Sequence, residues 1–138
     1  MNAVFHGVVP ALLTPFRNDQ VDTAALRRLV DFLVDHGVHG LYPNGTTGEG
    51  MLMNAAERML VAETVVETVR GRVPVMVHVG SFSTSETIAL ARHAKSIGAD
   101  AIGVVSPYFY SLDKESMFQH YLRVAESVPD LPVYIYNI

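Results

Sequence analysis

Residues 40–50 read GLYPNGTTGEG, a short apolar run followed at once by a glycine-rich loop. Glycines let a backbone approach a ligand closely and expose its N–H groups. The adjacent hydroxyls of Thr46 and Thr47 add two donors, so the loop suits a small anion such as a carboxylate or a phosphate. It has neither the lysine of a Walker motif nor the G-x-G-x-x-G spacing of a dinucleotide fingerprint. A tight turn without a ligand remains the alternative.

On either side of this loop, short apolar runs alternate with amphipathic stretches. We predict strands at residues 8–13, 40–42, 74–79, 101–105 and 133–136. We predict four intervening helices, of which the first three begin at the capping residues Asp22, Asn54 with Glu57, and Ser83 with Glu86, and the fourth runs from about Asp113 to Val128. The order β-α-β-α-β-α-β-α-β repeats every ~30 residues, a spacing typical of a parallel sheet.

Two α/β architectures suit this order. A doubly wound, flavodoxin-like sheet of five strands could be complete at this length. A (β/α)₈ TIM barrel needs ~250 residues, so the chain would supply roughly its first half, β1 to β5. No helix follows the fifth strand, which favours the half barrel. No linker or second domain is apparent, so residues 1–138 are expected to be the N-terminal part of a single barrel domain.

Composition excludes several classes of function. The formal net charge is −4 and no basic cluster occurs, so no nucleic-acid partner is expected. The absence of cysteine excludes disulfides and thiolate chemistry, and it fits a reducing compartment. Neither a leader peptide nor an apolar stretch of ~18 residues is seen, so no membrane association and a cytoplasmic location are expected.

Six histidines raise the question of a metal site. None of them forms an H-x-x-x-H or H-E-x-x-H pair, so no metal is expected. His78 lies in the third predicted strand, where a hydrogen-bonded structural role is favoured over catalysis.

Several motifs in order resemble the dihydrodipicolinate synthase/N-acetylneuraminate lyase family. They are Gly7-Val8-Val9-Pro10 with Thr14-Pro15-Phe16, Gly45-Thr46-Thr47-Gly48-Glu49, Val79-Gly80, residues 94–100 (AKSIGAD), Ser106-Pro107-Tyr108 and Tyr136-Asn137. The resemblance runs from Gly7 to the last residue. It implies a (β/α)₈ barrel whose lysine on the sixth strand forms a Schiff base with pyruvate or another 2-oxo acid, which then reacts with an aldehyde.

The resemblance also implies roles for residues of this chain. Thr47 and Gly48 would hold the pyruvate carboxylate, with backbone amides of their loop. Thr46 would belong to a proton relay, and the Tyr136 phenol would shuttle protons as general acid and base. The site would lie at the C-terminal strand ends, where barrel enzymes place their sites. From the residues alone, an aromatic side chain that packs inside the barrel is the favoured interpretation of Tyr136. No cofactor is implied, and the implied assembly is a homotetramer.

The chain departs from the family pattern after Tyr108. Many members have a second tyrosine there, which completes the relay from a neighbouring subunit, whereas this chain has Phe109. Tyr110 follows directly and is a candidate replacement. The three aromatics are expected at a relay or a subunit contact, or else folded onto their own barrel.

The second departure concerns lysine. The only lysines, Lys95 and Lys114, fall in predicted helices, so no Schiff-base lysine is present and this segment alone is expected to be inactive. The sequence identifies neither the aldehyde nor the direction of the reaction. A non-catalytic relative that binds a 2-oxo acid remains open.

Overall fold

The computed structural model describes residues 5–138; residues 1–4, at the start of the segment in which no leader peptide is predicted, lie outside them. Its four helices are α1 (Thr23–Asp35), α2 (Ala55–Val69), α3 (Thr84–Ser96) and α4 (Lys114–Ser127). Its strands are β1 (Phe16–Arg17), β2 (Gln20–Val21), β3 (Met76–His78), β4 (Ala101–Val105) and β5 (Val133–Tyr136).

The main sheet is parallel and keeps the order of the sequence. Strands β3, β4 and β5 are hydrogen-bonded in that order. Two segments, 8–12 and 40–43, extend the sheet through the parallel bridges Ala11–Tyr42 and Leu41–Val75. The first segment therefore lies at an edge, next to the second. An open doubly wound sheet places its first strand inside the sheet, so this order contradicts the flavodoxin-like alternative for the residues described.

Two predicted strands are less regular than expected. Segments 8–13 and 40–42 form isolated bridges instead of ladders, because Pro10 and Pro43 have no N–H to donate to a neighbour. The hairpin of β1 and β2 was not predicted. It is antiparallel, and its turn residues Asn18 and Asp19 both have positive φ, of 50° and 59°. This is the conformation that asparagine and aspartate tolerate in tight hairpin turns.

The four helices begin where the sequence predicts their starts. Asp22, Asn54, Ser83 and Asp113 each accept a hydrogen bond from a backbone N–H of the first turn. Asn54 and Glu57 form a complete capping box. The capping box predicted at Ser83 and Glu86 forms only in part, because the Glu86 carboxylate contacts the Ser81 hydroxyl. These caps fix the point at which each loop from the sheet enters its helix.

The core lies between the sheet and the helices. All five residues of β4 are buried, as expected of a central parallel strand with both faces covered. Helix α2 buries Val61, Val65 and Val69, which are spaced four residues apart. Since the strands are parallel, their C-terminal ends meet at one edge of the sheet, where the glycine-rich loop also lies.

Candidate active site

The glycine-rich loop is a compact set of turns. The Gly48 and Gly50 N–H groups both donate to the Gly45 carbonyl at 3.1 Å. A Cβ atom on Gly48 would lie 2.5 Å from the Leu12 carbonyl oxygen, and one on Gly50 would overlap the Asn44 backbone. The glycines are therefore required by close backbone packing, which places the loop firmly on the strand ends.

A cavity of about 250 Å³ opens at the C-terminal ends of the strands. It is lined by Thr46, Met51, His78, Val105, Tyr108, Tyr136 and Ile138. Three predicted site residues, Thr46, Tyr108 and Tyr136, thus share one cavity. Thr47 is exposed beside it, and Gly48 is buried in the same loop.

The Tyr136 ring belongs to a cluster of three rings, which we call the ring triad, with Tyr42 and His78. The centroid of the Tyr136 ring lies 6.1 Å from that of His78 and 6.4 Å from that of Tyr42, and both contacts are edge-to-face. Tyr42 and His78 are 5.9 Å apart. Such pairs contribute about 0.5–1.5 kcal/mol each beyond burial. The ring triad therefore holds the Tyr136 phenol at the cavity. The same contacts also fit the alternative in which Tyr136 is only a packing aromatic.

His78 is a buried histidine, with only 2% of its surface exposed. Its Nδ1 lies 3.0 Å from the Asn44 carbonyl oxygen, which can only accept, so Nδ1 carries the hydrogen. Burial, reinforced by the charge of Arg58, lowers the pKa of His78 to about 4. The ring is therefore neutral near pH 7, and its Nε2 is a lone-pair acceptor without a partner among the described residues.

Arg58 closes a cycle of hydrogen bonds around this histidine. Its Nη2 donates to the His78 carbonyl at 3.0 Å, and its own carbonyl accepts from Asn44 Nδ2 at 2.9 Å. All three side chains are buried, at 1–4% exposure. Burial lowers the pKa of Arg58, yet a guanidinium keeps its charge in proteins. The cycle joins α2, β3 and the start of the glycine-rich loop.

The loop is also held from the first segment of the sheet. The buried Thr14 hydroxyl donates to the Gly48 carbonyl at 2.7 Å. Thr14 belongs to one of the motifs quoted above, but the sequence assigned it no role. Tyr42, Asn44 and Arg58 were likewise not predicted. Of these residues, only Arg58 could have been noticed in the sequence, because it is a charged residue on the apolar stripe of α2 with Val61 and Val65.

The aromatic stretch after β4 divides between the cavity and solvent. Tyr108 lines the cavity and packs on Phe82 at 4.2 Å between centroids. Phe109 and Tyr110 are 83% and 74% exposed. Phe109 also has a φ of +82°, which costs a residue with a side chain about 1–2 kcal/mol. Neither residue contributes to the cavity of its own chain.

Both lysines lie on helices and are exposed, as predicted. Lys95 Nζ donates to the Pro129 carbonyl at 2.5 Å, and Lys114 is the first residue of α4. Within residues 5–138, no three histidine, aspartate or glutamate side chains come together as metal ligands. No helix in this range is long and apolar enough to cross a membrane.

Comparisons with known proteins agree with this geometry. The model of the dihydrodipicolinate synthetase family matches residues 4–138. A 4-hydroxy-tetrahydrodipicolinate synthase of Phenylobacterium zucineum is 47% identical over 138 residues, which are 100% of this chain and 47% of that protein. One from Pelobacter propionicus is 44% identical over 135 residues, 98% of this chain and 46% of that protein.

Solved structures give the same match. YagE, a prophage protein of E. coli K12 belonging to the dihydrodipicolinic acid synthase family and solved in complex with pyruvate, superposes with a TM-score of 0.95 at 37% identity, covering 99% of this chain and 46% of its own. N-acetylneuraminate lyase from Mycoplasma synoviae gives 0.92 at 34% identity, covering 98% and 47%. The α/β fold thus matches these barrel proteins, and the chain spans about half the length of the relatives that it matches.

Proposed function

Since the chain belongs to the dihydrodipicolinate synthetase family, we propose that it supplies the first half, β1 to β5, of a (β/α)₈ barrel that acts as a pyruvate-dependent Schiff-base aldolase, lyase or synthase. The observation that carries the proposal is the shared cavity of Thr46 and Tyr136 at the C-terminal strand ends. Barrel enzymes place their reacting groups at this face.

The proposed chemistry needs an amine at the C-terminal end of a strand. None of residues 5–138 supplies a lysine there. A lysine of a later strand would attack the keto carbon of a 2-oxo acid, and loss of water would leave a protonated imine. That imine accepts an electron pair when the neighbouring carbon loses a proton or when its bond to the aldehyde carbon breaks, and the enamine so formed donates the pair to an aldehyde carbon when a bond forms. The Tyr136 phenol would carry the protons of these steps, and the Thr46 hydroxyl would be its hydrogen-bond partner.

The same proposal assigns the substrate carboxylate to the glycine-rich loop. Thr47 follows the cavity-lining Thr46 and is exposed, and the backbone N–H groups of these two threonines make no hydrogen bond among the described residues, whereas those of residues 48–50 donate within the loop. Hydroxyl and amide donors of this kind suit a carboxylate. No organic cofactor or metal is part of the mechanism, and a cytoplasmic location is proposed with it.

We assign the exposed pair Phe109 and Tyr110 to a contact between subunits of a homotetramer. Their exposure of 83% and 74% is unusual for aromatic side chains next to a cavity. The left-handed backbone at Phe109 supports this assignment, because strain of this kind persists at functional contacts. Tyr110, rather than Phe109, is the residue with a hydroxyl to offer a neighbouring site.

A non-catalytic 2-oxo-acid-binding protein is the second candidate. It is favoured by one observation, the phenylalanine at position 109 where a relay would need a hydroxyl. Such a protein would keep the carboxylate loop and the cavity but would form no imine.

Trapping with borohydride in the presence of pyruvate separates these functions. We expect no covalent adduct on the 138-residue chain, because Lys95 and Lys114 are exposed on helices. We expect an adduct on the protein that includes the later barrel strands, at a lysine outside residues 1–138. Pyruvate binding without an adduct in that longer protein would favour the non-catalytic 2-oxo-acid-binding protein. An adduct at Lys95 or Lys114 would refute the enzyme proposal in this form.

A further inference from the structure

His78 contacts both halves of the proposed site through different parts of one ring. Its imidazole packs edge-to-face with the ring of Tyr136, with centroids 6.1 Å apart. Its Nδ1–H donates to the carbonyl of Asn44, the residue directly before the glycine-rich loop.

The histidine is itself rigidly held. Arg58 donates to its carbonyl, and Asn44 donates to the carbonyl of Arg58, so the three residues brace each other. None of these side chains can change rotamer without leaving a buried polar group unpaired, which costs about 1–3 kcal/mol. The tautomer is fixed as well, because Asn44 offers an acceptor.

We propose that His78 is a positioning residue that couples the Tyr136 phenol to the Thr46–Thr47 loop, the imidazole ring setting the phenol and Nδ1–H setting the loop. The inference rests on the proposed function for its kinetic consequences. It assigns His78 no contact with substrate. It predicts that the two effects can be separated by substitution, because they depend on different parts of the side chain.

Two substitutions separate them. His78→Asn keeps an N–H donor near the position of Nδ1 but removes the ring. His78→Phe keeps an aromatic ring but removes the donor, leaving the Asn44 carbonyl unpaired. In the protein with all barrel strands, we expect His78→Phe to raise the KM for the 2-oxo acid about tenfold with kcat within about twofold, because the loop is displaced. We expect His78→Asn to lower kcat about tenfold with KM nearly unchanged, because the phenol is displaced.

His120 provides a matched control. It is also a buried histidine, at 3% exposure, with an unpartnered Nε2, but it lies on α4 and bonds to Thr84. His120→Asn and His120→Phe should disturb packing to a similar degree without producing the split between KM and kcat. The same split in the His120 variants would mean that it reflects general destabilisation, and the inference would be lost.

Crystal structures of the two His78 variants provide a readout that does not depend on activity. We expect a shifted loop with an undisturbed Tyr136 ring in His78→Phe, and the reverse in His78→Asn. If both variants move the same element, or neither moves, the coupling is wrong. Failure of the wild-type protein to form an imine would refute the proposed function, while these two displacements would still decide the positioning role.

Discussion

Acidification should destabilise the fold through His78. The ring is held neutral in a buried position, with Arg58 close to it, and its pKa is lowered to about 4 from an ordinary value of 6.5. The unfolded chain therefore binds the proton more readily than the folded chain, and acid favours unfolding. The contribution of His78 is fully present above pH 6.5 and is lost as the pH falls from 6.5 towards 4.

The two pKa values set the magnitude. By pH 4.5 the linkage amounts to about 2.5 kcal/mol, and its limit at lower pH is about 3 kcal/mol. With urea m-values of about 1–3 kcal/mol/M, the unfolding midpoint should fall by roughly 1–2.5 M from this source alone. Carboxylates add their own acid dependence, which is common to the wild type and to a histidine variant.

The assay compares urea unfolding of the wild type and His78→Asn at several pH values between 7.5 and 4.5. Although the variant is expected to be less stable at every pH, its loss of stability across this range should be smaller by about 2.5 kcal/mol. Burial also lowers the pKa of His120, so His120→Asn should remove a separate part of the acid dependence. Equal pH dependence in the wild type and His78→Asn, or an imidazole NMR titration of His78 near 6.5, would refute the reasoning.

Three further predictions test the site and the fold. Gly50→Ala should abolish the correct loop geometry, because its Cβ would overlap the Asn44 backbone, whereas Gly98→Ala, with a φ of +83° and open space around it, should cost only about 1–2 kcal/mol in thermal unfolding. Tyr136→Phe keeps the ring contacts and removes the hydroxyl, so kcat of the complete barrel should fall about 10²–10⁴-fold with little change in melting temperature; an unchanged kcat would remove the phenol from the mechanism. Asn54→Ala should destabilise α2 by about 1 kcal/mol, measured by urea unfolding, since it breaks the capping box, and Asn54→Asp should restore most of the loss.

Elements with strong local signals were predicted well. Strands β4 and β5 have the predicted bounds, helices α1 to α3 start directly after their predicted caps, and α4 starts one residue after Asp113, its predicted start. Segments 8–13 and 40–42 were predicted as full strands but form single bridges, because proline removes ladder donors. The β1–β2 hairpin was missed although Asn18-Asp19 is a turn pair.

The residues of the candidate site also differ in how far they can be predicted from the sequence. That Thr46 and Tyr136 lie near one another could be expected, because both belong to motifs at strand ends, and they do line one cavity. The bracing residues could not, because their contacts join positions far apart, such as Arg58 to His78 across 20 residues and His78 to Asn44 across 34. No local pattern specifies such pairs, and only the folded sheet brings them together. The catalytic roles of Thr46 and Tyr136 remain predictions, as do the roles in substrate binding and assembly of Thr47, Gly48, Phe109 and Tyr110.

The sequential order of the sheet has a consequence for synthesis in the cell. Each segment of the sheet pairs with the one made just before it, so no segment has to wait for a part of the sheet that is made later. The ribosome adds roughly 5–20 residues per second, which lets each new βα unit dock on an existing edge. The sheet can thus lengthen during translation, and the Tyr42–His78–Tyr136 cluster is completed only when β5 emerges, some ninety residues after its first ring.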